Sequence, residues 1–465
     1  MSRKLVFAGP TISAEEICAR AAGVEVYPPV AAGDLLRFSL APGDLVAIID
    51  GYYFQSAPVR HKEILDLLRR GIHVWGAASM GALRAAELHL FGMKGFGQIF
   101  KAYVDGDIDG DDEVAVLHAP EDMDYALLSE ALVNIRYACC CAVTEELLLP
   151  DTAASIVAIA AHLPFHERSY QSILQRAVAE RVLSQELADT FLSFARQETY
   201  NLKKRDALQL LQALQEPLHY PVEVDFSWHE TTFMRHWRLQ EQGTVVDERH
   251  RISDLEVLAA LQLFGENYSE LHYRILLQTL SEIASQTAHP AQEWENAAGE
   301  ISAGERQAAI VARHLVDHYG FSLQQELPNS ASRWLRPEER TLPRVEQLAR
   351  LAVRQWQVPQ NFDWREALLA YIKTTALFPQ LLRIVFEAQV FNETLQEQHH
   401  QLQLENLSGK HLTGWFMRRW SVSQETWEYA LLDRGFRDAS DFLGKARPFY
   451  LFDKYVGIAP LSLKV

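Results

Sequence analysis

The sequence predicts an α/β fold in which an N-terminal domain, built on a parallel sheet flanked by helices, is followed by a mainly α-helical C-terminal region. Along the first quarter of the chain, short apolar runs alternate with helix signals across short links, a pattern typical of a parallel sheet covered by helices. From about residue 122 onward, apolar residues recur at spacings of three and four, which indicates helices. A length of 465 residues suits two or three domains.

Short apolar runs bounded by Gly, Pro or Asp predict the strands of the sheet. The third run is apolar almost throughout and is expected at the centre of the sheet, because a central parallel strand is buried on both faces. The five predicted strands cover residues 4–8, 24–27, 45–49, 72–75 and 113–117.

Capping signals predict the helices between the strands. Ser13 and Glu16 have the spacing of a capping box, and Gly23 is expected to end that helix. Pro58 suits the first turn of a helix that runs to residue 70. After the fourth strand, a helix over residues 80–91 is expected to end at Gly92.

Helices predicted from apolar spacing fill the rest of the chain, with an interruption at 217–228 and a small hairpin or loop at 242–249. We therefore expect two domains: residues 1–215, the sheet with its trailing helices, and residues 240–465, a helical domain of unknown role. The helices predicted after residue 122 are 125–141, 153–163, 170–182, 185–197, 252–290, 301–319, 343–356, 364–400 and 425–435.

Composition excludes several classes of partner. Lys and Arg number 44 against 61 Asp and Glu, giving a net charge of −17, and no basic run stands out, so no nucleic-acid partner is expected. The longest apolar stretch, residues 153–165, is too short to cross a bilayer, and the N-terminus lacks a signal-peptide core. No membrane partner is expected.

The four cysteines indicate a reduced compartment. Three are adjacent, Cys139 to Cys141, and with Cys18 alone beside them they cannot build a disulfide framework. Their spacing is not that of a zinc site, so no metal is expected, and we interpret them as small apolar residues on a buried helix. The sequence therefore predicts a cytoplasmic protein.

Two turns at the carboxyl ends of predicted strands supply candidate binding residues, because parallel sheets bind ligands at that edge. Gly9 follows the first strand, and Asp50 and Gly51 follow the third. Farther along, the acidic segment 105–113 resembles the start of a calcium loop, but Val116 stands where the bidentate Glu is required. We interpret it as a solvated acidic turn, with a docking surface for a basic partner as the alternative.

A third turn, after the fourth strand, is the most informative. Ser79 lies there between a strand and a helix, flanked by small residues that permit a tight turn. Ser79 would then face out of the sheet edge, and the amides of Met80 and Gly81 would form an oxyanion site at the positive end of the helix. The alternative is that Ser79 is only an N-cap.

A nucleophilic serine needs a base, and two neighbouring residues are candidates. Lys62 and His61 begin the helix after the third strand, at the same sheet edge as Ser79. A partly desolvated lysine near helix N-termini would have a lowered pKa and accept the serine proton. Position alone does not choose between the two. Arg84 on the Ser79 helix is a candidate for binding a carboxylate, or it pairs with Glu87.

Seven motifs resemble, in order, those of the TfuA-like family over about the first 140 residues of the chain. The longest of them surrounds Ser79 and is the most specific. The motifs are FAGPT (7–11), YPP (27–29), IDG (49–51), HKEIL (61–65), GAASMGALRAAEL (76–88), FGM (91–93) and DDEVAV (111–116).

The resemblance implies a protein that assists a YcaO enzyme in peptide-backbone thioamidation, in which sulfur replaces an amide oxygen during the biosynthesis of ribosomally synthesised and post-translationally modified peptides (RiPPs). Its implied substrate is a ThiS-like sulfur carrier protein that ends in a glycyl thiocarboxylate, whose hydrolysis releases sulfide. The implied enzyme is a Ser-Lys hydrolase without a metal or organic cofactor. It would also help to recruit YcaO, and a precursor peptide is a further expected partner.

The implied roles fall on particular residues. The family's serine corresponds to Ser79 and its lysine to Lys62, and Ala78 stands where the family often has a second serine. We therefore expect Ser79 to attack the thiocarboxylate and Lys62 to accept the serine proton. The alternative is a non-catalytic scaffold that joins the sulfur carrier, YcaO and the precursor peptide.

Overall fold

A five-stranded, wholly parallel sheet organises the N-terminal part of the chain, which confirms the predicted fold class. The structure, a computed structural model, describes residues 2–53, 56–217, 224–247, 249–287, 302–355 and 364–462. The strand order is β2-β1-β3-β4-β5, so the apolar third strand lies at the centre, as predicted. The strands are β1 (Lys4–Phe7), β2 (Glu25–Tyr27), β3 (Leu45–Ile48), β4 (His73–Ala77) and β5 (Lys94–Phe96).

Helices cover both faces of this sheet. Alternate residues of a strand point to opposite faces, so Leu5 and Phe7 pack on one side and Val6 on the other. The Leu5 side is covered by the second and third helices, and the Val6 side by the first and ninth. The nine helices described in this part are α1 (Ala14–Arg20), α2 (His61–Arg69), α3 (Met80–Leu88), α4 (Gly97–Asp105), α5 (Leu132–Thr144), α6 (Pro150–His162), α7 (Tyr170–Ala179), α8 (Gln185–Ala195) and α9 (Leu202–Ala213).

The predicted strand over residues 113–117 is wrong. The fifth strand is Lys94–Phe96, paired with β4, and residues 111–113 form a short 3-10 turn instead. Val114 and Ala115 are buried even though they join no strand of the sheet. Their apolar character reflects this burial beside Ser79, whose hydroxyl contacts the Val114 carbonyl.

Several helix boundaries differ from the prediction, among them the starts of α2 and α5. Pro58 precedes α2, whose N-cap is Arg60. The helix predicted from residue 125 begins at Leu132, because residues 124 and 125 have left-handed backbone conformations. At α1, Ser13 caps the Glu16 amide as predicted. The Glu16 carboxylate does not complete the predicted capping box, because it forms ion pairs with Arg20 and with Lys204 of α9.

Contacts divide the chain into two compact units, Met1–Trp228 and His229–Val465. The part of the second unit that the structure describes is helical apart from one antiparallel hairpin of β6 (Gly243–Val245) and β7 (Arg251–Ser253), which lies where a hairpin or loop is predicted. Its helices are α10 (Thr232–Glu241), α11 (Asp254–Phe264), α12 (Tyr268–Thr287), α13 (Ala303–Tyr319), α14 (Asn329–Ser332), α15 (Arg344–Gln355), α16 (Trp364–Lys373), α17 (Leu377–Gln398), α18 (Gly409–Arg419), α19 (Trp427–Asp433) and α20 (Ala439–Tyr455).

Two segments of this unit that are each predicted to be one long helix form two helices in the structure. The segment 252–290 is broken at Gly265, and the segment 364–400 is broken before Leu377. Helices α10, α14, α18 and α20 correspond to no predicted helix. Some predicted positions lie outside the described residues, namely 218–223 in the expected interruption, 248 in the hairpin, and 288–290, 301 and 356 at helix ends.

None of the described helices combines the length and the apolar composition of a membrane span by itself, although the bent pair Trp364–Lys373 and Leu377–Gln398 meets those criteria jointly.

Candidate functional site

Ser79 follows β4 on a tight turn whose backbone is strained. Ala78 has a φ of 66°, in the left-handed region that residues with a Cβ seldom occupy. Ser79 stands at the N-cap position of α3, yet its side chain makes no capping hydrogen bond. Its Oγ donates instead to the Val114 carbonyl at 3.4 Å. The structure therefore does not support the interpretation of Ser79 as only an N-cap.

A narrow cleft lies beside this hydroxyl at the carboxyl edge of the sheet. Its cavity volume is about 30 Å³, room for roughly two water molecules. Of the predicted candidates, the structure brings together Asp50, Gly51, Ser79 and Met80 on its wall. The other lining residues are Pro10, Tyr52, Tyr53, Asp111, Val114, Ala115, Val116, Leu117, His118 and Phe165.

Asp50 fixes the loop after β1 at the cleft. Its carboxylate accepts hydrogen bonds from the amides of Gly9 and Thr11, both at 3.0 Å, and from the Thr11 hydroxyl at 2.6 Å. Gly9 does not line the cleft, and a Cβ at that position would lie 2.6 Å from Pro29. Gly9 thus acts through close packing, and Asp50 ties together the loops that follow β1 and β3.

The two predicted oxyanion donors differ in their surroundings. The Gly81 amide already donates to the Ile49 carbonyl at 3.3 Å. Among the described residues the Met80 amide donates to no backbone carbonyl outside its own helix, and Met80 is the first residue of the nine-residue α3. Since the first amides of a helix lack intrahelical partners and carry partial positive charge, Met80 is the better placed of the two for an oxyanion.

The structure does not bring Lys62, His61 or Arg84 into the cleft. The Lys62 ammonium lies 5.1 Å from the centre of the Trp228 ring. The Arg84 guanidinium donates to the Val59 carbonyl and pairs with Glu87 at 2.6 Å, which is the second of the two roles considered for it. His61 contacts the same Glu87 carboxylate at 2.9 Å. Catalysis by Lys62 or His61 stays a prediction.

A different lysine, absent from the sequence prediction, lies beside Ser79. Lys203, near the start of α9, is 3% exposed, and its Nζ donates to the Val114 carbonyl at 3.1 Å. This is the carbonyl that the Ser79 hydroxyl contacts. Its helix is amphipathic and follows Val114 by almost ninety residues, so no local spacing distinguishes Lys203 from the ion-paired Lys204 beside it.

The acidic segment before Val114 is anchored by two arginines. Glu113 accepts two hydrogen bonds from Arg136, at 2.7 and 3.0 Å. Arg168 is 1% exposed and donates to both the carbonyl and the carboxylate of Asp112. Part of the segment therefore serves as a structural anchor and is not a solvated turn, while Asp105, Asp107 and Asp109 remain exposed.

We expect Arg168→Met to lower the free energy of unfolding by about 2–3 kcal/mol, because it removes the hydrogen bonds that a buried guanidinium donates to three carbonyls. Those carbonyls belong to Ala160, Leu163 and Asp112. Urea unfolding measures the effect, with the half-exposed Arg176→Met as a control. Equal stability of the two variants would show that Arg168 does not anchor the segment.

The cysteine run is only partly buried, which corrects its interpretation as three core residues. Cys139 is buried, Cys141 is intermediate and Cys140 is exposed. Successive residues of a helix point about 100° apart, so three in a row cannot share one core face. Burial raises the pKa of the Cys139 thiol to about 12, which makes it a poor nucleophile.

Comparison with known protein families gives one match. Residues 50–169 match the model of the family described as TfuA-like protein. The matched segment contains Asp50, Ser79 and the cleft wall up to Phe165, and it ends before α9. No curated protein matches the chain significantly.

Proposed function

We propose that this chain, which carries a TfuA-like domain over residues 50–169, hydrolyses the C-terminal thiocarboxylate of a ThiS-like sulfur carrier protein and so releases sulfide. The observation that carries the proposal is the Ser79 hydroxyl, which is not used as a helix cap and stands on the wall of a cleft at a helix N-terminus. A serine on a strained strand-to-helix turn resembles the arrangement of serine hydrolases, in which the turn exposes the nucleophile.

The same turn supplies electrostatic support for the reaction. Attack of Ser79 Oγ on the thiocarboxylate carbon places negative charge on oxygen, next to the first turn of α3. The Met80 amide is the proposed donor to this oxyanion. Loss of hydrosulfide leaves the carrier as an ester on Ser79, and water then releases the carboxylate. The overall reaction converts a thiocarboxylate and water into a carboxylate, a hydrosulfide ion and a proton.

The size of the cleft supports a slender substrate terminus. The cleft is small, with a cavity volume of about 30 Å³, so a glycine terminus, which has no side chain, fits it better than a residue with a large side chain. Tyr52, Tyr53 and Phe165 on the cleft wall offer apolar surface to such an extended tail. A carrier that ends in glycines fits these dimensions better than a bulky small molecule.

We place this hydrolysis within YcaO-dependent thioamidation of a peptide backbone in RiPP biosynthesis. Sulfide released next to a YcaO enzyme would replace an amide oxygen of the precursor peptide. The second unit, with its long helices, is the proposed site for recruiting YcaO or the precursor peptide, because grooves between helices accept extended or helical peptides. The proposed location is the cytoplasm.

The test is sulfide release by the purified full-length chain from a thiocarboxylated ThiS-like carrier, without YcaO. The expected result is a catalytic yield of sulfide, matched mole for mole by carrier carboxylate in the mass spectrum. The same carrier with an ordinary carboxylate terminus controls for background sulfide. Tight carrier binding without turnover would overturn the hydrolase proposal and favour the scaffold.

A chain ending at Trp228 is expected to remain folded and to retain hydrolysis. Val224 and Phe226 pack against the sheet core, and Trp228 covers Lys62, so the cut belongs after these residues rather than at 217. We expect its affinity for YcaO or the precursor peptide to fall at least tenfold, measured by calorimetry beside the full chain. Aggregation would contradict an independent first unit, and unchanged affinity for every partner would contradict recruitment by the second.

A further inference from the structure

Lys203 and Ser79 are held against one carbonyl oxygen. The Lys203 Nζ lies 3.1 Å from the Val114 oxygen and the Ser79 Oγ lies 3.4 Å from it. Two donors on one oxygen are neighbours, since their separation cannot exceed the sum of these distances. The lysine is buried and the serine is 8% exposed on the cleft wall. The lysine therefore lies close to the Ser79 hydroxyl, and it does not itself line the cleft.

The residues around Lys203 would stabilise a positive charge on its ammonium only partly. Within the described residues the hydrogen bond of its ammonium goes to a neutral carbonyl, and Asp50 and Glu130 act on it only through longer-range electrostatics. The oxygens of these two carboxyl groups already accept other hydrogen bonds. Burial also raises the pKa of the Glu130 carboxyl above its ordinary value. A cation in such a place is costly, because a buried charge is stable only when paired.

We infer that Lys203, and not Lys62, is the base that takes the proton from Ser79, an assignment that rests on the proposed function in taking Ser79 as the nucleophile. Burial lowers the pKa of Lys203, the first requirement of a neutral amine base near neutral pH. Lys62 is held over the Trp228 ring and does not line the cleft. His118 lines the cleft but its Nδ1 contacts the Ala119 carbonyl at 2.8 Å.

The proposed steps balance. Neutral Lys203 takes the hydroxyl proton as the Oγ–C bond forms, giving a lysine ammonium and a tetrahedral adduct with negative oxygen and sulfur. The ammonium then returns this proton to sulfur as the C–S bond breaks, so hydrosulfide leaves and the amine is neutral again. The carrier remains as an ester on Ser79. In the second half, Lys203 takes a proton from water and returns it to Ser79 Oγ when the ester breaks.

The experiment measures the labelling of Ser79 by a small fluorophosphonate, which needs an activated serine but no carrier. Full-length wild-type protein is compared with Lys203→Met and Lys203→Arg by peptide mass spectrometry. Lys204→Met is the matched control, because its ammonium pairs with Glu16 and Glu198 on the surface. Lys62→Met and His118→Gln represent the competing bases.

We expect the labelling rate to fall by a factor on the order of a hundred or more in both Lys203 variants and to be unchanged in Lys204→Met. Arginine places a permanent positive charge beside Asp50 and Glu130 and cannot act as a base, so retained labelling in Lys203→Arg would overturn the assignment. A loss confined to Lys62→Met or His118→Gln would also overturn it. So would a wild-type Ser79 that takes no label.

The pH profile of the wild type keeps the inference testable if both Lys203 variants unfold. The neutral amine accumulates as pH rises through a lowered pKa, so labelling is expected to increase with pH and to level off below the ordinary lysine pKa of about 10.4. A rate that keeps rising with hydroxide concentration beyond that value would contradict it. Normal labelling without sulfide release from the carrier would overturn the proposed function while leaving Lys203 as the base.

Discussion

Replacing Ser79 with alanine is expected to lower sulfide release by a factor on the order of 10³ or more, because the reaction loses its nucleophile. The fold is expected to change little, since the Ser79 side chain caps no amide and its one hydrogen bond is 3.4 Å long. We expect a change in unfolding free energy of less than about 1 kcal/mol. Carrier binding is therefore expected to persist.

The matched control is Ser155→Ala, at a partly exposed serine of α6 whose hydroxyl donates to the Asp151 carbonyl of its own helix. Sulfide release, thermal unfolding and carrier affinity are measured on both variants. Undiminished sulfide release by Ser79→Ala would refute the covalent mechanism. Loss of both activity and folding would show instead that Ser79 is a structural residue.

Gly81→Ala is expected to lower the free energy of unfolding by about 3 kcal/mol or more and to abolish activity. A Cβ on Gly81 would lie 1.7 Å from the Ile48 carbonyl oxygen and 2.6 Å from its carbon. These are backbone atoms of the central strand, so no side-chain movement relieves the clash. The first turn of α3 would have to leave the sheet, taking Ser79 and the Met80 amide with it.

Thermal unfolding and the sulfide assay measure this effect, with Gly444→Ala in α20 as the control. A Cβ at Gly444 meets no atom within 4 Å, so that change is expected to be neutral or stabilising by up to about 1 kcal/mol. A Gly81→Ala protein with normal stability and activity would contradict the tight packing of α3 against β3.

Most strands of the sheet could be predicted from the sequence, because each central strand is an apolar run. Leu45–Ile48 is buried throughout, and such a run has few alternatives to a central strand. The edge strand Lys94–Phe96 escaped prediction because it is three residues long and begins with an exposed lysine. The run at 113–117 is wrongly predicted to be a strand because apolar composition indicates only that residues are buried. It does not show whether their backbone groups pair with a neighbouring strand.

The sequence also predicts the part of the candidate site that lies at the carboxyl ends of the strands. Asp50, Gly51, Ser79 and Met80 meet in the cleft because they follow parallel strands, whose carboxyl ends share one edge. Lys203 could not be found in this way, because it contacts Val114 from α9, on the sheet face opposite to α2 and α3. Tertiary packing alone brings it to Val114, and a lysine in an amphipathic helix carries no sign of burial.

The most direct test of the central claim is a mass measurement on a single turnover quenched in acid. Full-length protein is mixed with thiocarboxylated carrier, and the peptide containing Ser79 is examined for the carrier's C-terminal residues joined as an ester. We expect this ester to form together with the first equivalent of sulfide and to disappear as the carrier carboxylate appears. Release of sulfide with no ester on Ser79 at any time, or an ester on another residue, would contradict the account.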